Sequence, residues 1–254
     1  MNKQTVLLTG GAGSLGTAFV RLLHDEYDLI VVDNNEWAIA ELKGKYPNVK
    51  VWLGEFYDYP LSGYEDFIIH AAAYKHVHLG EALPRDFIRN NLINTIKFYE
   101  KAEQTLAKIL YISTDKAVEP ISVYGATKYL AERLTYDVGG AVARLGNILK
   151  SSGSVVPTWE QQIEAKVPIT ITDERMTRYM IEDSDAVNQV WNEFKKGEVL
   201  IIPKMGEPFR IMDMLTQVLE RHGYATPEQY EPGVTFIGIK PGEKLSEKLR
   251  WDHE

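Results

Sequence analysis

Apolar residues fall into two alternating patterns along the chain. Short, almost unbroken apolar runs occupy residues 5–9 (TVLLT), 29–33 (LIVVD), 49–53, 67–70 (FIIH), 109–113 (ILYIS) and 141–144. Between them, apolar positions recur at helical spacing over residues 14–25, 36–46, 85–104 and 124–136. Unbroken apolar strands suit a parallel sheet covered on both faces, whereas a half-solvated sheet would alternate. Repeated β-α-β order with right-handed crossovers gives an α/β, doubly wound parallel sheet. After Arg144 the pattern changes, and Gly, Ser and Pro become frequent from residue 146 to 168. A helix is predicted over 183–195, a strand over 199–202, a helix over 209–221 and a mixed tail over 233–250. The reading is a main domain of residues 1–145 and 182–215, with a small C-terminal lobe of residues 146–181 and 216–254.

Composition narrows the class. A chain of 254 residues with 44% hydrophobic content fits one α/β domain with an appended lobe. No apolar run approaches the ~20 residues of a membrane helix, and the N-terminus lacks a signal-peptide layout. No membrane partner and a cytoplasmic location are therefore expected. The chain has no cysteine, which excludes disulfides and thiolate metal sites. A net charge of −8 argues against a nucleic-acid partner, which needs a basic face. A small anionic ligand stays compatible, because helix N-termini and a few cations can hold a phosphate.

The first strand runs into Thr9-Gly10-Gly11-Ala12-Gly13-Ser14-Leu15-Gly16. Gly10, Gly13 and Gly16 have the GxxGxxG spacing. Glycine is needed there because the backbone must turn tightly and approach a pyrophosphate, which the next helix N-terminus then receives. Strand two ends in Asp33, about 20 residues past the first glycine, where a carboxylate accepts hydrogen bonds from ribose hydroxyls and repels a 2′-phosphate. No Lys or Arg follows until Lys43. NAD is expected as the cofactor, with NADP the alternative. A carboxylate at that place also suits a helix cap.

The fifth strand ends in Ser113-Thr114-Asp115-Lys116, and Tyr124 follows Lys116 by eight residues in Tyr124-Gly125-Ala126-Thr127-Lys128. The YxxxK spacing places Tyr124 and Lys128 one helical turn apart on one face. A nearby ammonium and the positive charge of a nicotinamide would lower the phenol's pKa and let a tyrosinate take a hydroxyl proton. His76 and His78 form an HxH pair, but no further ligand completes a metal site, and no metal is expected.

These segments resemble the short UDP-N-acetylglucosamine 4,6-dehydratases, polysaccharide-biosynthesis enzymes of the extended short-chain dehydrogenase superfamily with Rossmann-type folds. The matching blocks are TGGAGSLG, HAAAYKHV, STDKAVEPISVYGATK, RLGNI, GSVVP, ITDERMTRY and IGIKPGEKLSE, in the family's order over almost the whole chain. The resemblance implies that Tyr124, assisted by Lys128, deprotonates the C4 hydroxyl as hydride leaves. Lys116 then removes the C5 proton, Asp115 protonates the departing C6 hydroxyl, and Thr114 holds the sugar near C4. It implies cofactor contacts from Gly10, Gly13, Ser14, Leu15, Gly16, Asp33, Ala71, Ala72, Tyr124 and Lys128. For a UDP-sugar it implies Lys75, Asn147, Arg178 and Lys240, with Arg175 beside Arg178. The family usually has arginine where this chain has Lys240 and Ser152, and typical members extend further past the PGEK segment. Asp115-Lys116 separates an eliminating enzyme from a simple epimerase, which needs neither group. The alternatives are a nucleotide-sugar 4-epimerase and a non-catalytic nucleotide-sugar or NAD-binding protein. A homo-oligomer is expected through helices 85–104 and 124–136, with Phe87, Ile88, Phe98, Tyr129 and Leu130 supplying apolar area.

Overall fold

The computed structural model describes residues 3–149, 151 and 154–253. The predicted departure at Ser152, and part of the GSVVP block, lie outside these residues. In chain order the first half comprises β1 (Thr5–Thr9), α1 (Ser14–Leu23), β2 (Asp28–Asp33), α2 (Glu36–Lys45), β3 (Lys50–Leu53) and β4 (Phe67–His70). It continues with α3 (Val77–Ala82), α4 (Pro84–Ile88), α5 (Asn94–Ala102), β5 (Lys108–Thr114), α6 (Val123–Asp137) and β6 (Ala141–Leu145). The second half holds β7 (Asn147–Ile148), α7 (Val155–Glu164), β8 (Ile169–Ile171), β9 (Thr177–Arg178), β10 (Met180–Ile181) and α8 (Asp183–Lys196). It ends with β11 (Leu200–Ile201), β12 (Phe209–Arg210), α9 (Ile211–Arg221) and β13 (Val234–Phe236).

Seven strands form one sheet in the order β11-β6-β5-β4-β1-β2-β3, and every pairing within it is parallel. The fold is the doubly wound, Rossmann-type sheet predicted from the unbroken apolar runs. Every residue of β4 and β6 is buried, as is all of β5 after Lys108, whereas β3 at the sheet edge is largely exposed. Strand order reverses between β1 and β4: from β1 the chain moves out to β2 and β3, then returns to the other side of β1. The loops after β1 and β4 therefore part at their C-terminal ends and open a crevice, the usual ligand position in such sheets.

The helix predicted over 85–104 is divided. Between α4 and α5 the chain makes a π-helical turn, Arg89–Ile93. Asn91 explains the interruption: it is buried, accepts from Tyr74 N–H at 2.8 Å and donates to Tyr74 O at 2.9 Å. A π turn carries one extra residue, which turns this amide inward while the apolar residues on either side stay in register. The short α3 was not anticipated, because its sequence, VHLGEA, has no sustained apolar period.

A separate apolar cluster fills the C-terminal lobe, built from Trp159 and Ile163 of α7, Ile169 and Ile171 of β8, and Ile211, Met214, Leu215, Val218 and Leu219 of α9. Helix α9 packs on α7 through this cluster. Helix α8 packs on α1 and belongs to the main core through Val187, Val190, Trp191 and Phe194.

Candidate active site

The crevice at the strand reversal is a cleft of about 820 Å³. Its floor at one end is the turn between β1 and α1. Gly10 has φ +67°, and a Cβ there would meet Ala72 N at 2.6 Å, so the turn packs directly on the loop after β4. A Cβ on Gly16 would fall 2.2 Å from the Gly10 carbonyl, so α1 can start this close to the turn only with glycine at that place. The helix starts at Gly13 without a side-chain cap. Gly13, Ser14 and Leu15, at the start of the helix, line the cleft. Such a cradle fits a pyrophosphate. Ala71 and Ala72 line the same wall.

Asp33 lines the cleft at the end of β2. It accepts from Ala12 N–H and Asn35 N–H, both at 3.0 Å, which ties the strand end to the glycine turn. The cap of α2 is supplied by Asn35, which accepts from Ala38 N–H. Asn34 and Glu55 line the cleft beside Asp33, so the ribose end carries two carboxylates.

At the other end, β5 delivers Thr114 and then turns through a short 3-10 segment, Asp115–Ala117. Thr114 Oγ1 accepts from Lys116 N–H and donates to Asp115 Oδ1 at 3.0 Å. Helix α6 begins beside this turn, capped by Ser122, which accepts from Gly125 N–H at 3.0 Å. A Cβ on Gly125 would sit 2.3 Å from the Lys116 carbonyl, so helix and turn are in direct backbone contact. This contact brings Tyr124 next to Thr114 and Lys116. Thr114, Lys116, Tyr124 and Lys128 line the cleft, whereas Asp115 is not among the described residues that line it.

Asp115 and Lys116 form an ion pair, Lys116 Nζ donating to Asp115 Oδ1 at 2.9 Å and to Asn147 Oδ1 at 3.2 Å. Asp115 is completely buried, and its Oδ2 has no hydrogen-bond partner among the described residues. Burial of this kind separates the pair from a solvent-exposed loop contact, which contributes little.

The electrostatics around Tyr124 differ from the sequence expectation. Burial pushes its phenol well above the ordinary value; the hydrogen bond with Thr114 opposes this, and the charges of Asp115 and Glu247 add to it. Lys128 is not a source of the expected lowering. Its ammonium is itself desolvated, held to about 7 by burial with Glu132 acting in the opposite direction. Nζ donates to the Ile112 carbonyl at 2.6 Å and lies 4.0 Å over the Tyr111 ring.

The remaining sequence-derived residues separate. Lys75 and Asn147 line the cleft, and burial lowers the Lys75 pKa. Arg178 and Lys240 are not among the described residues lining it. Arg178 is buried, and its guanidinium donates to the carbonyls of Thr177, Lys244 and Leu245 at 2.7–3.1 Å. Its fork thus binds backbone instead of the pyrophosphate the sequence suggested. Lys240 is exposed, and Arg175 pairs with Asp173 at 2.8 Å on the surface. His76 and His78 lie with ring centroids 6.1 Å apart, and no cluster of three metal-ligating side chains occurs among the described residues. One residue escaped sequence reasoning. Glu247, in the block ending IGIKPGEKLSE, is buried 3.8 Å from Lys116 Nζ. Its only sequence signal was its place in that block, since nothing local brings it to β5.

Sheet, glycine turn and Tyr-Lys helix together make a Rossmann-type fold of the extended short-chain dehydrogenase kind. The chain belongs to the polysaccharide biosynthesis protein family, which it matches over residues 6–254. It is 37% identical to an uncharacterized membrane protein of Methanocaldococcus jannaschii over 99% of this chain and 81% of that one. It is 33% identical to an inverting UDP-N-acetylglucosamine 4,6-dehydratase of Campylobacter jejuni over 97% of this chain and 77% of the other. A Rickettsia bellii protein named UDP-glucose 4-epimerase is 29% identical over 97% of this chain and 77% of its own. The chain spans only 45% of the EpsC protein of Bacillus subtilis, at 35% identity over 97% of itself. Among solved structures, Pen from Bacillus thuringiensis superposes over 100% of this chain and 84% of its own, with TM-score 0.89 and 27% identity. The dTDP-glucose 4,6-dehydratase DesIV of Streptomyces venezuelae, solved with NAD, shares the fold at TM-score 0.84 and 20% identity over 98% of this chain and 91% of its own. No helix among the described residues is long and apolar enough to cross a membrane.

Proposed function

We propose that this protein is a nucleotide-sugar 4,6-dehydratase that acts on UDP-N-acetylglucosamine with NAD. The observation that carries the reading is the buried Asp115–Lys116 pair at the end of β5, with Lys116 open to the cleft beside Tyr124. An elimination needs an acid and a base on the same side of the sugar, and an epimerisation at C4 needs neither. The named Campylobacter dehydratase supports the assignment. The epimerase-named relative keeps the alternative in view.

A bound nicotinamide supplies the hydride acceptor for C4 and the donor for C6, and its positive charge favours the tyrosinate. The uncapped first turn of α1 holds the pyrophosphate, and Asp33 the adenosine ribose. A 2′-phosphate would meet the carboxylates of Asp33 and Glu55, which favours NAD over NADP. Tyr124 Oη takes the proton of the C4 hydroxyl, and Thr114 orients that hydroxyl. Once C4 is a ketone, Lys116 takes the acidified C5 proton as a neutral amine. Asp115, which is buried behind Lys116 and is not among the described residues lining the cleft, would turn toward C6 and give its proton to the hydroxyl, which leaves as water. Asn147 holds Lys116 from β7, and Lys75 faces the substrate at the mouth of the cleft.

The test separates the two stages. Lys116→Ala should still form reduced nicotinamide from UDP-N-acetylglucosamine in single turnover, followed by stopped-flow absorbance, but should lose C5 deuterium exchange by 10²–10⁴-fold. Tyr124→Phe should show neither. Normal C5 exchange in Lys116→Ala would remove Lys116 as the base and favour the epimerase.

A further inference from the structure

The C-terminal segment returns to the catalytic end of β5 and is tied there at several points. Arg178 donates to the carbonyls of Lys244 and Leu245. Thr177 N–H donates to Leu245 O at 2.8 Å, and Lys244 Nζ donates to Val118 O at 2.7 Å. These bonds deliver Glu247 to the Asp115–Lys116 pair. Its side chain is 2% exposed, with Oε1 3.8 Å from Lys116 Nζ. Oε2 is 3.4 Å from Lys244 Nζ but has no hydrogen-bond partner among the described residues. Glu247 is not among the described residues that line the cleft, so it acts on a substrate only through its neighbours. A buried carboxylate is costly unless it is paired, and the cations within reach of Glu247 are the half-buried Lys116 and Lys244.

We propose that Glu247 is a positioning residue for the elimination base: its carboxylate holds Lys116 Nζ beside Asp115 and Asn147 and governs how readily that amine gives up its proton. The proposal rests on the dehydratase reading above. The groups around Lys116 come from four elements. Asp115 belongs to the 3-10 turn, Tyr124 to α6, Asn147 to β7, and Glu247 with Lys244 to the C-terminal segment; Arg178 of β9 acts on Glu247. Burial pushes the Glu247 carboxyl above the ordinary range, and the charge of Lys116 is the first influence opposing it.

In the elimination, the C5–H bond breaks and its proton goes to the Lys116 lone pair. The Asp115 proton leaves with the C6 hydroxyl as water. The product state is an ammonium beside a carboxylate, the arrangement seen at 2.9 Å. Once C6 has received the hydride, the C5 enolate would take a proton back from Nζ. The proton Tyr124 took from the C4 hydroxyl would return to Asp115 through Thr114, which is hydrogen-bonded to both. The sum is loss of one water, and Nζ stays in line with Asp115 Oδ1. Glu247 keeps Nζ on this line through both states.

The experiment compares wild type, Glu247→Gln and Glu247→Asp by two readouts. The first is the titration of Lys116 Nζ, followed by NMR of isotope-labelled lysine and assigned with Lys116→Arg. Glu247→Gln removes a nearby negative charge, so the titration should move to lower pH by on the order of one pH unit, and Glu247→Asp should restore most of it. The second is the pH profile of C5 deuterium exchange. Its rising limb should move in the same direction and its plateau fall about tenfold, while formation of reduced nicotinamide changes less than about twofold. An unmoved Lys116 titration in folded Glu247→Gln would overturn the proposal, as would equal losses in both half-reactions. If wild type exchanges no deuterium at C5, the dehydratase reading fails instead, and the Lys116 titration alone decides the role of Glu247.

Discussion

Lys128 is the residue whose surroundings most oppose its ordinary charge. Buried and held to about 7, it binds fewer protons folded than unfolded between that value and 10.5. The sign follows from linkage: burying the ammonium is destabilising, fully so below about pH 7, and the penalty is lifted as pH rises toward 10.5. Lys128→Met should therefore raise Tm relative to wild type by several degrees at pH 6, with the gain shrinking toward pH 10. Thermal melts of both proteins across that range check it, and a pH-independent difference would contradict it. The YxxxK spacing made Lys128 and Tyr124 legible in the sequence, as did the order Thr114-Asp115-Lys116. The protonation of Lys128 was not legible, because it depends on its burial against Tyr111 and the carbonyl of Ile112, which only the fold brings to it. The surroundings of Arg178 were not legible for the same reason: the carbonyls of Lys244 and Leu245 that it bonds lie more than sixty residues away in sequence.

At the scale of elements, the site depends on two close backbone approaches, α1 on the glycine turn and α6 on the turn after β5. Gly125→Ala should displace the Lys116 carbonyl, since its Cβ would lie 2.3 Å away. A shift near 1 Å at the reacting groups costs about 10²-fold in rate, so turnover should fall by that order while dinucleotide affinity, set at α1, is kept. Isothermal titration with NAD and steady-state assays separate the two; equal loss of both would mean the damage is not local. The strands of the first half were readable because their burial on both faces makes them uniformly apolar. The elements 77–82 and 89–93 were not. Their conformation follows from polar anchoring, Asn91 on the backbone of Tyr74, which leaves no apolar period. The short strands β7, β9, β10 and β12 pair over two residues each, too few to leave a pattern.

At the scale of the molecule, the expected oligomer surface changes in composition. Phe87 and Phe98 are buried at 1% and 0% and belong to the protein's own core, and Tyr129 packs on Trp251. The exposed apolar residues of that region are Ile88, Ile93, Ile96 and Leu130. We expect a homo-oligomer through them, with Ile93→Glu and Leu130→Glu together shifting the light-scattering mass to monomer at micromolar concentration. An unchanged mass would place the interface elsewhere. Arg178→Ala, which frees the carbonyls of the C-terminal segment, should destabilise the protein by about 1–3 kcal/mol in denaturant melts. The sheet and cleft define a nucleotide-sugar enzyme of this family, and the Asp115–Lys116 pair carries the claim that it eliminates water. That claim is tested most directly by incubating the NAD-loaded protein with UDP-N-acetylglucosamine and analysing the product by mass spectrometry and NMR. The expected product has lost one water and carries a 4-keto group and a C6 methyl. A product of unchanged mass, differing only in configuration at C4, would contradict the account.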